Sequence, residues 1–115
     1  MKLLEWIGPS KKDVKKFPKE VQKAVGFALL KAQRKEKYIN TKPLKGIKAM
    51  EIVERSKNGT YRVVYTIEIK NVIYVLHAFQ KKSKRGIRTP MQEINLVKQR
   101  LKEVKKWKQK QKKRN

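Results

Sequence analysis

"IKAMEIVERSKNGTYRVVYTIEIKNVIYVLHAF", residues 47–79, decides the fold. Its hydrophobic period is 2, and three runs within it are rich in β-branched and aromatic residues: 47–54, 61–69 and 72–79. Asn58-Gly59 separates the first two runs and is a strong hairpin signal, because both residues tolerate the positive φ of a tight turn. Lys70-Asn71 is less suited to a turn, but its brevity still implies a second hairpin. The expectation is a three-stranded antiparallel meander.

Two-residue turns at these places fix the register. The first hairpin then opposes Arg55 with Arg62, Val53 with Val64, and Glu51 with Thr66. The second opposes Arg62 with Phe79, Val64 with His77, and Thr66 with Val75. Alternation puts Tyr61, Val63, Tyr65, Ile67 and Ile69 on one apolar face, which should receive the helices. Arg62, Val64, Thr66 and Glu68 form the other face, open to solvent, with Glu51, Arg55, His77 and Phe79. There Arg62 and His77 are diagonal neighbours within reach of a common ligand. Glu51 and Glu68 share that face and offer Arg62 an ordinary ion pair instead.

Outside the meander the period is 3.6. Ser10-Lys11-Lys12-Asp13 has the form of a capped helix start, with a short helix through 11–16. Pro18 suits a first helical position. Val21, Ala24, Val25, Ala28, Leu29 and Ala32 follow at helical spacing, predicting a second helix over about 18–36. "NTKPLKG" at 40–46 reads as loop. Thr89-Pro90-Met91-Gln92 opens the last helix, with Thr89 capping and Gln92 completing the box. Met91, Ile94, Val97, Leu101 and Val104 make a narrow stripe fit to pack on a sheet, which Trp107 extends. The fold class is α+β: two N-terminal helices, a three-stranded or slightly larger antiparallel sheet, and a C-terminal helix, with the helices on one face. Residues 1–104 form one domain, and 105–115 a basic tail expected to fray.

Thirty-three Lys and Arg against nine Asp and Glu give a formal charge of +24 over 115 residues. Charge of that size repels itself and attracts polyanions, so nucleic acid is the expected partner. It is concentrated late: residues 81–115 carry fifteen cations and two acids. The absence of cysteine excludes disulfide and thiolate chemistry, and one histidine makes a zinc site untenable. The apolar patch in "MKLLEWIGPSKKD" is too short for a signal peptide, and no run approaches the ~20 residues that span a bilayer. A soluble, cytoplasmic protein without membrane partners is expected.

Directly after Phe79 come Lys81, Lys82, Lys84, Arg85 and Arg88, leaving the sheet edge beside Arg62. An Arg with flanking Lys suits a phosphodiester, since guanidinium grips two non-bridging oxygens and holds harder as charge builds on phosphorus. Cleaving RNA in this way needs no metal or other cofactor, because the ribose 2′-hydroxyl is the nucleophile. The protein supplies acid, base and charge, and a Lys of depressed pKa can share the acid–base work. Phe79 is placed either to stack a base or to cover the sheet edge.

"PLKGI" (43–47), "EIV" (51–53), "YRVVY" (61–65), "LHAFQKKS" (76–83) and "TPMQEINLVKQR" (89–100) together resemble the RelE/ParE toxin superfamily, in its HigB-like, phage-associated branch. The resemblance covers roughly residues 15–105 in consistent order. It implies a RelE-like fold and a type II toxin, an endoribonuclease (mRNA interferase) that cuts mRNA on the ribosome. Neutralisation by a helix-turn-helix antitoxin is implied as well. Arg62 would serve the scissile phosphate, with Lys81 and Lys82 binding phosphate and sharing acid–base work. By position rather than by resemblance, His77 is a further catalytic candidate, although a lone strand histidine is more often a packing residue with one nitrogen satisfied. Position also makes Arg55, Phe79, Lys84, Arg85 and Arg88 the candidates for binding RNA, with Phe79 equally placed to cover the sheet edge. Relatives often carry Arg where this chain has Val53, a place Arg55 can fill from the same face, and "RGI" at 85–87 lengthens the loop. Two alternatives share the residues: a ParE-like gyrase inhibitor, and a basic RNA-binding protein without catalysis.

Overall fold

Five strands make the sheet, in the order β1-β5-β4-β3-β2. The computed structural model describes residues 1–81 and 89–113, with side chains as far as Lys108. Its elements are β1 (Leu3–Trp6), α1 (Ser10–Lys15), α2 (Lys19–Gln33), β2 (Thr41–Pro43), β3 (Ala49–Ser56), β4 (Gly59–Thr66), β5 (Val72–Lys81) and α3 (Met91–Lys113). The expected meander is its centre, β3-β4-β5. The two short outer strands were not expected. β1 runs parallel to β5, pairing Leu3 with Val72 and Trp6 with Val75, so the sheet is mixed rather than antiparallel. β2 adds to β3 through only three residues of the stretch read as loop.

Register decides which side chains meet. The first turn is Lys57-Asn58, not Asn58-Gly59, and Ser56 opposes Gly59. Gly59, at φ +130°, begins β4 instead. A Cβ there would lie 3.1 Å from the Lys81 carbonyl oxygen, so the glycine serves a close strand approach. The shift keeps every side chain on its expected face but changes partners. Arg62 opposes Val53, and Glu51 opposes Val64, one diagonal from Arg62. The second turn is Lys70-Asn71 as expected, both residues at positive φ. Arg62–Phe79 and Val64–His77 pair as expected, but Tyr65 rather than Thr66 opposes Val75. Leu76 is therefore a bulged residue, which puts Leu76 and His77 on one face.

The helices are not on one face. α1 and α2 cover Ile52, Tyr61, Val63, Tyr65, Ile73, Val75 and Ala78. α3 covers the other side, where Val97, Leu101 and Val104 pack with Val64, Val72, Tyr74 and Leu76. The reason is visible in β5: "VIYVLHAF" hardly alternates, so both its faces must be covered. The face expected to be open is thus largely a second core. Ile67 is exposed and Ile69 joins the α3 side, because β4 ends at Thr66, whose hydroxyl accepts the Tyr74 N–H. Met91 and Trp107 stay exposed, leaving the α3 stripe to its middle residues.

Two expected caps have other work. Ser10 is inside α1, fully buried, and donates to the Val75 carbonyl. The Thr89 hydroxyl donates to Glu51. α3 is helical through Lys113, so its backbone continues into the basic tail. Among the described residues, no helix is long and apolar enough to cross a membrane.

Candidate functional site

Glu51 on β3 and Arg62 on β4 anchor the site. Arg62 is 3 % exposed and Glu51 0 %, and Arg62 Nη1 donates to Glu51 Oε1 at 2.8 Å. Thr89, just before α3, donates to Glu51 Oε2 at 2.6 Å and accepts from Arg62 Nη1 at 3.3 Å. Lys42 Nζ on β2 stands 3.8 Å from Glu51 Oε1. A buried carboxylate is thereby held by two cations and a hydroxyl, which offset the cost of desolvating it. The guanidinium is less fully satisfied: Arg62 Nε is buried and has no hydrogen-bond partner among the described residues. A buried donor left so costs about 1–3 kcal/mol, relieved by any acceptor that reaches it.

Lys81, at the end of β5, is 9 % exposed and sits within the field of this cluster. Burial pushes its ammonium below the ordinary lysine value, and the charges of Arg62 and Lys42 add to that, while Glu51 opposes it. The result is a lysine that releases its proton more readily than a surface one.

A groove of about 390 Å³ opens onto Arg62 between β2 and β3, with Lys42, Val53, Glu54 and Arg55 on its walls. Glu54 is fixed there by the Tyr38 hydroxyl and by Asn40 Nδ2, at 3.0 Å from Oε2. Arg55 is exposed at the rim. The groove therefore presents Arg62, Lys42 and Arg55 to a ligand from one side.

His77 lies on the same face but is committed elsewhere. Arg100 Nη1 of α3 donates to His77 Nδ1 at 3.2 Å and to the Leu76 carbonyl at 2.8 Å. Since Nδ1 accepts, the ring proton belongs on Nε2, which pairs with the Glu93 carboxylate. Both ring nitrogens thus hold α3 to β5. Phe79 stacks on the His77 ring with centroids 5.0 Å apart, and is half-buried opposite Arg62.

Of the residues singled out in the sequence, the structure brings Arg62 and Lys81 together and sets Phe79 and Arg55 at the margins. His77 is turned to α3. Lys82, Lys84, Arg85 and Arg88 lie outside the described residues. Sequence reasoning missed Lys42, which fell in a presumed loop, and the roles of Thr89, Glu93 and Arg100. It considered Glu51 and Glu68 as partners of Arg62; Glu51 takes that place, while Glu68 pairs with Lys2 at 3.2 Å.

Comparison with known proteins agrees with this architecture. The model of the family "Phage derived protein Gp49-like" matches residues 12–102. No curated protein sequence matches the chain. Among solved structures, the isolated E. coli RelE toxin superposes with a TM-score of 0.58 at 21 % identity, covering 73 % of this chain and 89 % of that one. A chain of the intact E. coli RelBE toxin–antitoxin complex superposes with a TM-score of 0.55 at 16 % identity, covering 72 % and 100 %. At such identities the shared property is the fold.

Proposed function

Because the chain belongs to the phage-derived Gp49-like family and has the RelE fold, we infer that it is the toxin of a type II toxin–antitoxin pair. Its activity on this reading is ribosome-dependent cleavage of mRNA, in the cytoplasm, with a helix-turn-helix antitoxin as its neutralising partner. The observation that carries the reading is Arg62: a strand-held guanidinium that lines a groove, its Nε without a partner among the described residues, with Lys81 beside it, whose pKa is lowered by burial and by the Arg62 charge.

The chemistry follows from these groups. The ribose 2′-hydroxyl attacks the adjacent phosphorus, its proton passing to a base, and the P–O5′ bond breaks as the 5′-oxygen takes a proton from an acid. Products are a 2′,3′-cyclic phosphate and a 5′-hydroxyl, with no redox change and no water consumed in that step. Arg62 stabilises the charge that builds on the non-bridging oxygens of a phosphate that enters from the groove side. Lys81 is the candidate acid, its pKa lowered by burial and by the neighbouring charges of Arg62 and Lys42. Lys42 and Arg55 hold the flanking backbone.

A second reading draws on the burial of Arg62. With 3 % exposure and an internal carboxylate partner, Arg62 is also what a structural ion pair looks like, and a gyrase-binding toxin or a non-catalytic RNA-binding protein would need nothing more from it. Growth assays with an inducible gene separate the two. The nuclease reading expects arrest with cleavage of translated mRNA, lost in Arg62→Ala and Lys81→Ala variants that still fold. Arrest without mRNA cleavage, or with DNA damage, favours the gyrase reading.

A further inference from the structure

A second concave surface lies on α3, away from the Arg62 groove. Lys98, Lys102, Lys105 and Lys106 of α3 line it together with Lys48 from the segment between β2 and β3. All five are exposed, and Ile47 and Leu101 form an apolar floor between them. The space is about 530 Å³.

The helix explains the clustering. Positions 98, 102, 105 and 106 recur at i, i+4, i+7 and i+8, so their side chains share one stripe, beside the buried stripe of Val97, Leu101 and Val104. Lysines at i and i+4 repel, which disfavours the isolated helix. Nothing local relieves this: among the described residues, no carboxylate pairs with any of the five. Lys2 and Lys42, by contrast, each have one. Glu103 belongs to the same helix but does not line the groove.

We propose that this groove is a second, sequence-independent site for the sugar–phosphate backbone of RNA. The proposal rests on the nuclease reading and deepens it, assigning contacts that hold structured RNA while the Arg62 site acts. Lys98 lies nine residues beyond Thr89 and Lys106 seventeen, roughly 14 and 26 Å along the helix. An RNA that meets both sites therefore reaches along α3 at least as far as Lys98. The lining has one sign of charge, no acid and no aromatic. Regular cations without a stacking platform recognise phosphates rather than bases. A protein partner would call for a larger apolar centre with aromatic anchors, which the two floor residues do not make.

The test compares wild type with Lys98→Gln/Lys102→Gln/Lys105→Gln/Lys106→Gln. A control, Lys11→Gln/Lys12→Gln/Lys15→Gln/Lys16→Gln, removes the same charge from the opposite layer, and circular dichroism checks all three folds. The probes are a labelled RNA hairpin and purified 70S ribosomes, titrated from 50 to 300 mM KCl. The groove variant is expected to lose at least ten-fold in affinity at 100 mM. Its log K against log[KCl] slope should flatten by up to about 3.6, near 0.9 for each of four lost duplex phosphate contacts. The control should lose less than three-fold. Equal losses in groove and control variants overturn the proposal, as does an unchanged slope in the groove variant. The nuclease reading fails separately: if no form of the protein cleaves RNA while the groove variant alone loses binding, the groove stands and that reading falls. If Arg62→Ala abolishes cleavage while the groove variant binds like the control, the reading stands and the groove falls.

Discussion

Arg62 and Glu51 meet across a diagonal of β4 and β3, Nη1 to Oε1 at 2.8 Å, with both side chains almost wholly buried. The pair joins the sheet to the segment that starts α3, because Thr89 bonds to both. The candidate catalytic arginine is therefore also a structural one.

That dual role separates single from double substitutions. Glu51→Ala leaves a buried guanidinium uncompensated and should cost about 3–5 kcal/mol in a urea unfolding titration. Glu51→Leu with Arg62→Met removes both charges and should recover most of it, since a buried pair gains little over apolar side chains of similar size. Equal loss in the single and double variants would mean the pair itself stabilises the fold.

Lys81 should impose a pH dependence of known sign. Its pKa is lowered in the fold, so unfolding takes up a proton between the folded and the ordinary value. Stability of wild type relative to Lys81→Met should consequently rise with pH through that window and be least below it. Cleavage should move the other way, falling as Lys81 loses its proton. Lys81→Arg, cationic throughout, should shift that fall to higher pH if charge alone is needed, or abolish cleavage if proton transfer is. A pH–rate profile on programmed ribosomes reads both effects.

His77 should behave as a fastener. His77→Ala removes the bonds to Glu93 and Arg100 and should cost about 1–3 kcal/mol. At a temperature where the variant is folded, its cleavage rate should stay within about three-fold of wild type. A loss of a hundred-fold or more would put the ring in the chemistry.

Gly59 should tolerate no side chain. At φ +130°, with a Cβ position 3.1 Å from the Lys81 carbonyl oxygen, Gly59→Ala should cost about 1–3 kcal/mol. A thermal melt within 1 °C of wild type would show that the strand approach is looser than the geometry indicates.

What the sequence made legible follows from what is local. The meander, the strand faces of Arg62, Val63, Val64 and Tyr65, and the Arg62–Phe79 pairing came from period 2 and a short second turn. Register across the first hairpin did not, because Gly59 reads as a turn residue while its use is a long-range approach to Lys81. β1 is too short to show alternation and gains its identity only from its parallel partner β5. The second face was misjudged because strict alternation from His77 keeps Tyr74 and Leu76 off it, whereas the bulge at Leu76 turns Val72, Tyr74 and Leu76 onto it beside Val64, where they require a covering helix. Thr89 signals a cap in sequence and reaches Glu51 in space, a contact 38 residues apart that no local pattern reveals.

The central claim is that Arg62 serves a scissile phosphate. Mapping of new 5′ ends on mRNA translated by purified 70S ribosomes, with folded wild-type and Arg62→Ala protein, tests it most directly. The account predicts discrete 5′-hydroxyl ends with wild type and a loss of at least a hundred-fold in their formation with Arg62→Ala. Equal cleavage by a folded Arg62→Ala protein would contradict it.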